Sequence, residues 1–340
     1  MIHRTAATWQ TETWQEALKN LIRTPEELFS ELHLDPKLLP AARLASQDFA
    51  LRVPRSYVAR MERGNINDPL LRQVLPLGEE LLAEPGYTSD PLGEADSNQL
   101  PGLIHKYHGR VLLVVTGNCA INCRYCFRRH FPYSDNRPSR DHWQQVFDYI
   151  KADPSITEVI YSGGDPLGAP DTTLSWLTDQ ISAIGHVRRL RVHSRLPIVI
   201  PARITDECIM AITRARLQTT LVIHANHARE LNGEVSDALA TLKRAGVTLL
   251  NQTVLLRGVN DSAQALTDLS EALFASGVLP YYLHLLDKVR GAGHFDVSEN
   301  RALELHQNLQ HHLPGYLVPK LVREIAGQPC KTPVHPAPEH

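Results

Sequence analysis

Long apolar runs are missing from this sequence: no stretch reaches the ~18 consecutive apolar residues that a membrane span requires. A basic start followed by an apolar run is missing too. The chain opens MIHRTAATWQTETWQ, so no secretory signal is expected. Excess charge of either sign is absent, with 35 Lys and Arg against 37 Asp and Glu and a formal net charge of −2. No basic stripe marks a nucleic-acid footprint, which leaves small molecules as the expected partners. Cysteine is scarce, five in all, and the number is odd. A disulfide framework would spread cysteines along a small chain, whereas three of these crowd between positions 119 and 126. That crowding fits a reducing cytoplasm and thiolate ligation of a metal. Internal repeats and low-complexity segments are also absent.

What is present is an ordinary globular composition, 43% hydrophobic and 21% charged, over 340 residues. Residues 1–95 read as a helical region. Trp14, Ala17, Leu18, Leu21 and Ile22 share one helix face. Thr24-Pro25-Glu26-Glu27 reads as a capping box, a third helix is expected over Ser56–Glu62, and Asp68-Pro69 opens another. Residues 84–102, punctuated by Pro85, Gly86, Pro91 and Pro101-Gly102, read as a linker. From residue 110 onward short apolar runs alternate with amphipathic helices. Strands are expected at Val111–Thr116, Glu158–Tyr161, Leu190–His193, Thr219–His224, Thr248–Leu255 and Tyr281–Leu286. Helix starts are expected at Ser139, Asp171, Thr205, Asp261 and Ser298. Six strand–helix units predict an α/β fold with a parallel sheet, an open partial (β/α)6 barrel over 96–310. Chemistry is then expected on the loops after the strand C-termini. Residues 311–340 form a separate C-terminal segment whose tail, from Gln328, is proline-rich.

Cys119, Cys123 and Cys126 follow the first barrel strand directly, spaced by three and by two residues. Three thiolates at this spacing can hold one inorganic cluster. Iron–sulfur clusters usually take four cysteines, so three leave one iron open to another ligand. A zinc site with His130 as fourth ligand is the alternative, although zinc more often shows paired C-x-x-C units. Cys208 lies mid-helix and reads as structural. Nothing suggests a role for Cys330.

The spacing C-x-x-x-C-x-aromatic-C resembles the signature of the radical S-adenosylmethionine superfamily. The resemblance implies a 4Fe–4S cluster on these cysteines, S-adenosylmethionine on its open iron, and Tyr125 near the adenine. Ser162-Gly163-Gly164-Asp165-Pro166 resembles the glycine motif that receives the methionine amino group, with Gly163, Gly164 and Asp165 as cofactor contacts. Glycines there would let the backbone approach the ligand.

A longer similarity, from about residue 90 to residue 334, is to the lysine 2,3-aminomutase family, and within it to the shorter bacterial branch associated with elongation factor P. It rests on Asp90-Pro91-Leu92, Cys126-Phe127-Arg128-Arg129, His193-Ser194-Arg195, His224-Ala225-Asn226-His227, Asn251-Gln252 and the run from Asp287 to Phe295. The family implies a second cofactor, pyridoxal 5′-phosphate, held by a Schiff-base lysine. Here that is Lys331, in Gly327-Gln328-Pro329-Cys330-Lys331-Thr332-Pro333, where one glycine remains of a glycine-rich motif. Such a lysine must be desolvated to react as a neutral amine, so the tail is expected to pack back over the barrel mouth. Tyr107 and Arg110, ahead of the first strand, match a pyridoxal contact and a phosphate-binding arginine. His224 and Gln252 match positions near S-adenosylmethionine. Arg128 matches the partner of the substrate carboxylate. Asp287 and Glu324 match two acids that hold the ε-ammonium, with glutamate at 324 in place of the family's aspartate. Two acids there would reject a substrate with a distal carboxylate. The structural zinc of longer members is not implied, because no cysteine cluster follows Lys331.

The activity implied is conversion of free (S)-α-lysine to (R)-β-lysine by a radical 1,2-amino shift, with an external electron donor. The product would serve elongation factor P through its β-lysine ligase. A cytoplasmic homo-oligomer is expected. Two rivals are a radical enzyme acting on a protein, RNA or another amino acid, and a non-catalytic metal-binding interaction module.

Overall fold

The computed structural model describes residues 12–136 and 139–335; positions 1–11 of the helical region and 336–340 of the tail lie outside them. Among the described residues the N-terminal region holds five α-helices: α1 (Trp14–Lys19), α2 (Pro25–Leu32), α3 (Leu39–Asp48), α4 (Arg55–Val58) and α5 (Pro69–Arg72). Thr13 caps α1 with a capping box, and Thr24 caps α2 with Pro25 at its first position. Two expectations need correction. The helix begun at Trp14 stops at Lys19, and Ile22 pairs with Val53 as an isolated β-bridge instead. The helix expected over Ser56–Glu62 is only the single turn α4, and α3 was not foreseen.

A ten-stranded sheet follows, its strands in chain order: β1 (Asn98–Leu100), β2 (Leu103–Tyr107), β3 (Arg110–Thr116), β4 (Glu158–Gly163), β5 (Arg189–Ser194), β6 (Gln218–Ile223), β7 (Thr248–Val254), β8 (Leu279–His284), β9 (Lys320–Arg323) and β10 (Thr332–Pro333). The connecting helices are α6 (Arg140–Ala152), α7 (Asp171–Ser182), α8 (Leu196–Val199), α9 (Asp206–Thr213), α10 (Gly233–Arg244), α11 (Ala263–Ala275) and α12 (Glu299–His312). Ser139, Thr205 and Ser298 cap α6, α9 and α12 as their side chains predict. Ser262 caps α11, one residue after the expected Asp261, and α10 is an addition.

All six expected strands are present as β3–β8. The sheet nevertheless exceeds six units. β9 adds in parallel to β8, and antiparallel pieces extend both edges, β1 and β2 beside β3 and β10 beside β9. Tyr107 and Arg110 therefore do not precede the sheet. They close the β2–β3 hairpin through His108-Gly109, with Gly109 at φ +74°.

The two faces of β3–β8 differ in chemistry because side chains alternate along a strand. Val111, Leu113, Val159, Tyr161, Leu190, Val192, Leu221 and Ile223 are buried within the main core, which the helices complete. Each such aliphatic side chain contributes about 1.5–3 kcal/mol. The opposite face carries Arg110, Glu158, Arg191, His193, Gln252 and His284, which line a cavity of 810 Å³. No helix among the described residues is long and apolar enough to cross a membrane.

Candidate active site

The cavity is built by the C-terminal ends of the strands and by the loops that follow them. The cysteine loop leaves β3 and is clamped by the N-terminal region. Arg52 Nη1 donates to the Cys119 carbonyl at 2.9 Å, the Asn122 amide to the Arg52 carbonyl at 2.9 Å, and the Arg124 amide to the Gln73 carbonyl at 2.9 Å. Arg124, fully buried, forks onto Glu80 at 2.8 and 2.5 Å, and Glu80 also takes Arg129 at 3.0 Å. Burying these ions is tolerable only because they are paired.

Cys119, Cys123 and Cys126 are free, half-buried and on the wall of this cavity. They are not drawn together as ligands of one ion. Among the described residues no three His, Cys, Asp or Glu are gathered that closely. A cubane cluster is wider than an ion, and each thiolate ligates a different iron, so three spaced thiols on one wall suit it. The donor chemistry agrees. Burial pushes Cys119 well up and Cys126 up to about 12, and neighbouring thiols add to both, so these two become thiolates only beside a cation. His130, the fourth ligand of the zinc alternative, turns instead to the Arg290 carbonyl at 3.3 Å.

Tyr125 is buried, its hydroxyl accepting from Arg195 at 2.8 Å and Asn226 at 2.6 Å. Arg195 also reaches Cys123 Sγ at 2.7 Å and Glu230 at 3.0 Å. Gly163 and Gly164 stand on the cavity wall, but the space their missing Cβ atoms leave is filled by the chain itself. A Cβ at either would lie 2.5 Å from the Thr116 or the Asn118 carbonyl oxygen, respectively. Their glycine character thus serves the close approach of β4 to the end of β3. Asp165 is spent in the same way: its carboxylate accepts from Ser194 Oγ (2.6 Å) and from the amides of Arg195, Leu196 and Leu167 (2.7, 3.0 and 3.1 Å). It positions the β5 loop rather than offering a free oxygen.

Arg128 points into the cavity and is forked by Glu94 at 2.6 and 2.8 Å, with Ser162 Oγ at 3.0 Å. Asp287 and Glu324 line the same cavity. Lys331 Nζ donates to Glu324 Oε2 at 2.7 Å, and Lys106 Nζ to Glu324 Oε1 at 3.2 Å. These neighbours split the acids. Burial favours neutral Glu324, but Lys331 and Lys106 outweigh it and hold the carboxyl down to about 2. Burial and the Glu324 charge push Asp287 up to about 7. The tail does fold back, as an edge hairpin. Gly327 turns at φ +78°, Thr332 pairs with Arg323, and Val334 enters the core beside Leu321. This return sets Lys331 beside Glu324 at the end of β9. Arg110 stacks over the Tyr107 ring at 4.8 Å on the same wall.

His224 and Gln252 meet at 3.4 Å, and burial holds His224 down to about 3, hence neutral. Five buried nitrogens of cavity-lining residues, Arg129 Nε, Arg191 Nε, Arg195 Nε, His193 Nε2 and His284 Nε2, have no partner among the described residues. Each costs about 1–3 kcal/mol left bare, so the cavity is shaped for polar ligands. Sequence reasoning missed Glu94 and Lys106. The residues read as a linker carry Glu94 and are pinned to the β8 loop, with the Thr88 amide on the Lys288 carbonyl at 3.0 Å. Lys106 lines the cavity with Ile104, two positions before it on β2, a strand that the pattern did not mark.

The model of the radical SAM superfamily matches residues 113–269. The L-lysine 2,3-aminomutase of Escherichia coli (strain K12) is 55% identical over 325 residues, 95% of this chain and 94% of that protein. The chain belongs to the L-lysine 2,3-aminomutase family. The Haemophilus influenzae L-lysine 2,3-aminomutase is 48% identical over 95% of this chain and 96% of its own length. That of Clostridium subterminale is 34% identical over 97% of this chain but only 79% of its own length. As a radical SAM aminomutase the chain uses a 4Fe–4S cluster and S-adenosylmethionine, and pyridoxal phosphate is characteristic of this enzyme class.

Proposed function

We propose that the chain is an L-lysine 2,3-aminomutase that moves the amino group of lysine from C2 to C3 while hydrogen moves from C3 to C2. The observation that carries the reading is the set of charges gathered on one cavity: the Arg128 guanidinium, the Asp287 and Glu324 carboxyl groups, and Lys331 beside Glu324. When bound, the cluster with S-adenosylmethionine supplies radical initiation, and pyridoxal phosphate supplies a π-system that stabilises the rearranging nitrogen.

The residues have separate tasks. Cys119, Cys123 and Cys126 would hold the cluster, and Tyr125, Gly163 and Gly164 line the space for S-adenosylmethionine with His224 and Gln252. Asp165 shapes that space through the β5 loop. Arg110 and Tyr107 would receive the pyridoxal phosphate group, and Lys331 its carbonyl carbon. Arg128 would orient the substrate carboxylate by a planar fork. Glu324 and Asp287 would take the ε-ammonium, which fixes C3 along the line between the ends. A protein-bound lysine fits less well, since its α-nitrogen is an amide and its carboxylate is absent.

The test is anaerobic loading with iron, sulfide and pyridoxal phosphate, then reductant, S-adenosylmethionine and L-lysine. β-Lysine should form while S-adenosylmethionine is returned; no β-lysine, or stoichiometric deoxyadenosine, sinks the reading. The 55% identity to the Escherichia coli relative over 94% of its length supports, in addition, delivery of the product to elongation factor P by a ligase. Mass spectrometry of that factor from cells with and without this chain tests the link.

A further inference from the structure

Glu94 has no task in the assignment above, yet it is the side chain that holds Arg128. Its carboxylate accepts from Nε at 2.6 Å and Nη2 at 2.8 Å, a two-point fork on one edge of the guanidinium. Both side chains are buried, with Glu94 4% and Arg128 7% exposed. Nη1 gives a third hydrogen bond, to Ser162 Oγ at 3.0 Å. A guanidinium has five N–H donors, so Nη1 and Nη2 each keep one hydrogen. A second carboxylate can dock on those hydrogens without displacing Glu94.

The loop is built to present this side chain. Asp90 accepts from the Glu94 amide at 3.0 Å and the Ala95 amide at 3.1 Å, and Gly93 turns at φ +58°. Beyond Glu94, Lys106 Nζ lies 3.5 Å from Glu94 Oε1 and 3.2 Å from Glu324 Oε1. Charge therefore alternates from Arg128 through Glu94, Lys106 and Glu324 to Lys331. An isolated ion at the buried Glu94 or Arg128 would be costly, and their pairing offsets that cost.

We propose that Glu94 is a positioning residue that aims Arg128 at the carboxylate of the amino-acid substrate, setting affinity for that end rather than the rate of rearrangement. The proposal rests on the role given to Arg128 above. It is tested by calorimetric binding of L-lysine to enzyme carrying its cofactors but no reductant, so that nothing turns over. Glu94→Gln keeps the shape and removes the charge. L-Lysine should bind at least about tenfold more weakly, the worth of one charge-assisted hydrogen bond. 1,5-Diaminopentane, which has no carboxylate, should bind unchanged. In turnover KM should rise in step while kcat stays within about twofold, and Glu94→Asp should recover part of the affinity. Equal weakening of both ligands, or a fall in kcat at constant KM, overturns the proposal in favour of a structural role. Tighter lysine binding also overturns it, because Glu94 would then compete with the substrate for Arg128. Failure of the underlying reading is distinguishable: Arg128→Gln would weaken the diamine as much as lysine, and both ideas would fall.

Discussion

Lys331 Nζ and Glu324 Oε2 are 2.7 Å apart, although the chain between them leaves the sheet, turns and comes back. The acid at the end of β9 thus holds the amine in place before any ligand arrives. It also keeps that amine at the cavity rather than in solvent.

Removing this amine should abolish covalent capture of pyridoxal phosphate. Lys331→Ala, loaded and reduced with borohydride, is expected to show no mass increment on the peptide containing residue 331, whereas the unsubstituted chain shows one. Turnover should fall at least about 10²-fold through lost positioning. Retention of the increment at another lysine would refute the assignment.

Substrate affinity should depend on pH through Asp287. With its carboxyl pushed up to about 7, this acid is neutral below that pH and ionised above it, while Glu324, near 2, stays ionised throughout. The ε-ammonium of lysine meets more negative charge as pH rises, so KM should fall through about pH 7. Asp287→Asn should flatten this dependence and raise KM by roughly 10–100-fold, one hydrogen bond to a charged group. A profile unchanged by the substitution would count against the assignment.

Iron content separates the five cysteines. Alanine at 119, 123 or 126 should each lose the cluster, read as iron per chain and as the electron paramagnetic resonance signal after reduction. Cys208→Ala and Cys330→Ala should keep both, because neither lies on the loop after β3. Full iron in any of the first three variants would exclude that residue as a ligand.

Glu80 supports the cysteine loop without entering the cavity. Glu80→Gln removes the counter-charge that two buried guanidinium groups share, on Arg124 and Arg129, leaving them backbone carbonyls and, for Arg129, Asp48; it should destabilise the fold by about 3 kcal/mol in denaturant titrations. A loss under 1 kcal/mol would mean that the groups find other partners, and the clamp would carry less than the geometry implies.

Gly164→Ala tests what the glycine pair is for. Its Cβ would meet the Asn118 carbonyl oxygen at 2.5 Å, so β4 should separate from β3 at a cost of about 1–3 kcal/mol. If the glycine served only the ligand, stability would hold and S-adenosylmethionine affinity alone would drop.

Local signals determined much of this protein. Short apolar runs marked all six strands β3–β8, because the strands of a covered parallel sheet run apolar. Ser139, Thr205 and Ser298 marked helix starts through the side-chain oxygen each offers to a free amide. The cysteine triplet marked the cofactor loop because its spacing lies within one turn-rich stretch. Tertiary structure alone decided what depends on residues distant in sequence. The hairpin of β1 and β2 and the strand β9 carry little alternation, and they form because neighbours supply hydrogen bonds along the edges of the sheet. Glu94 reaches Arg128 across 34 positions, and Lys106 reaches Glu324 across 218. No local pattern encodes such a pair. Each is fixed by the need of a buried charge for a partner, and the partner is known only once the chain has folded.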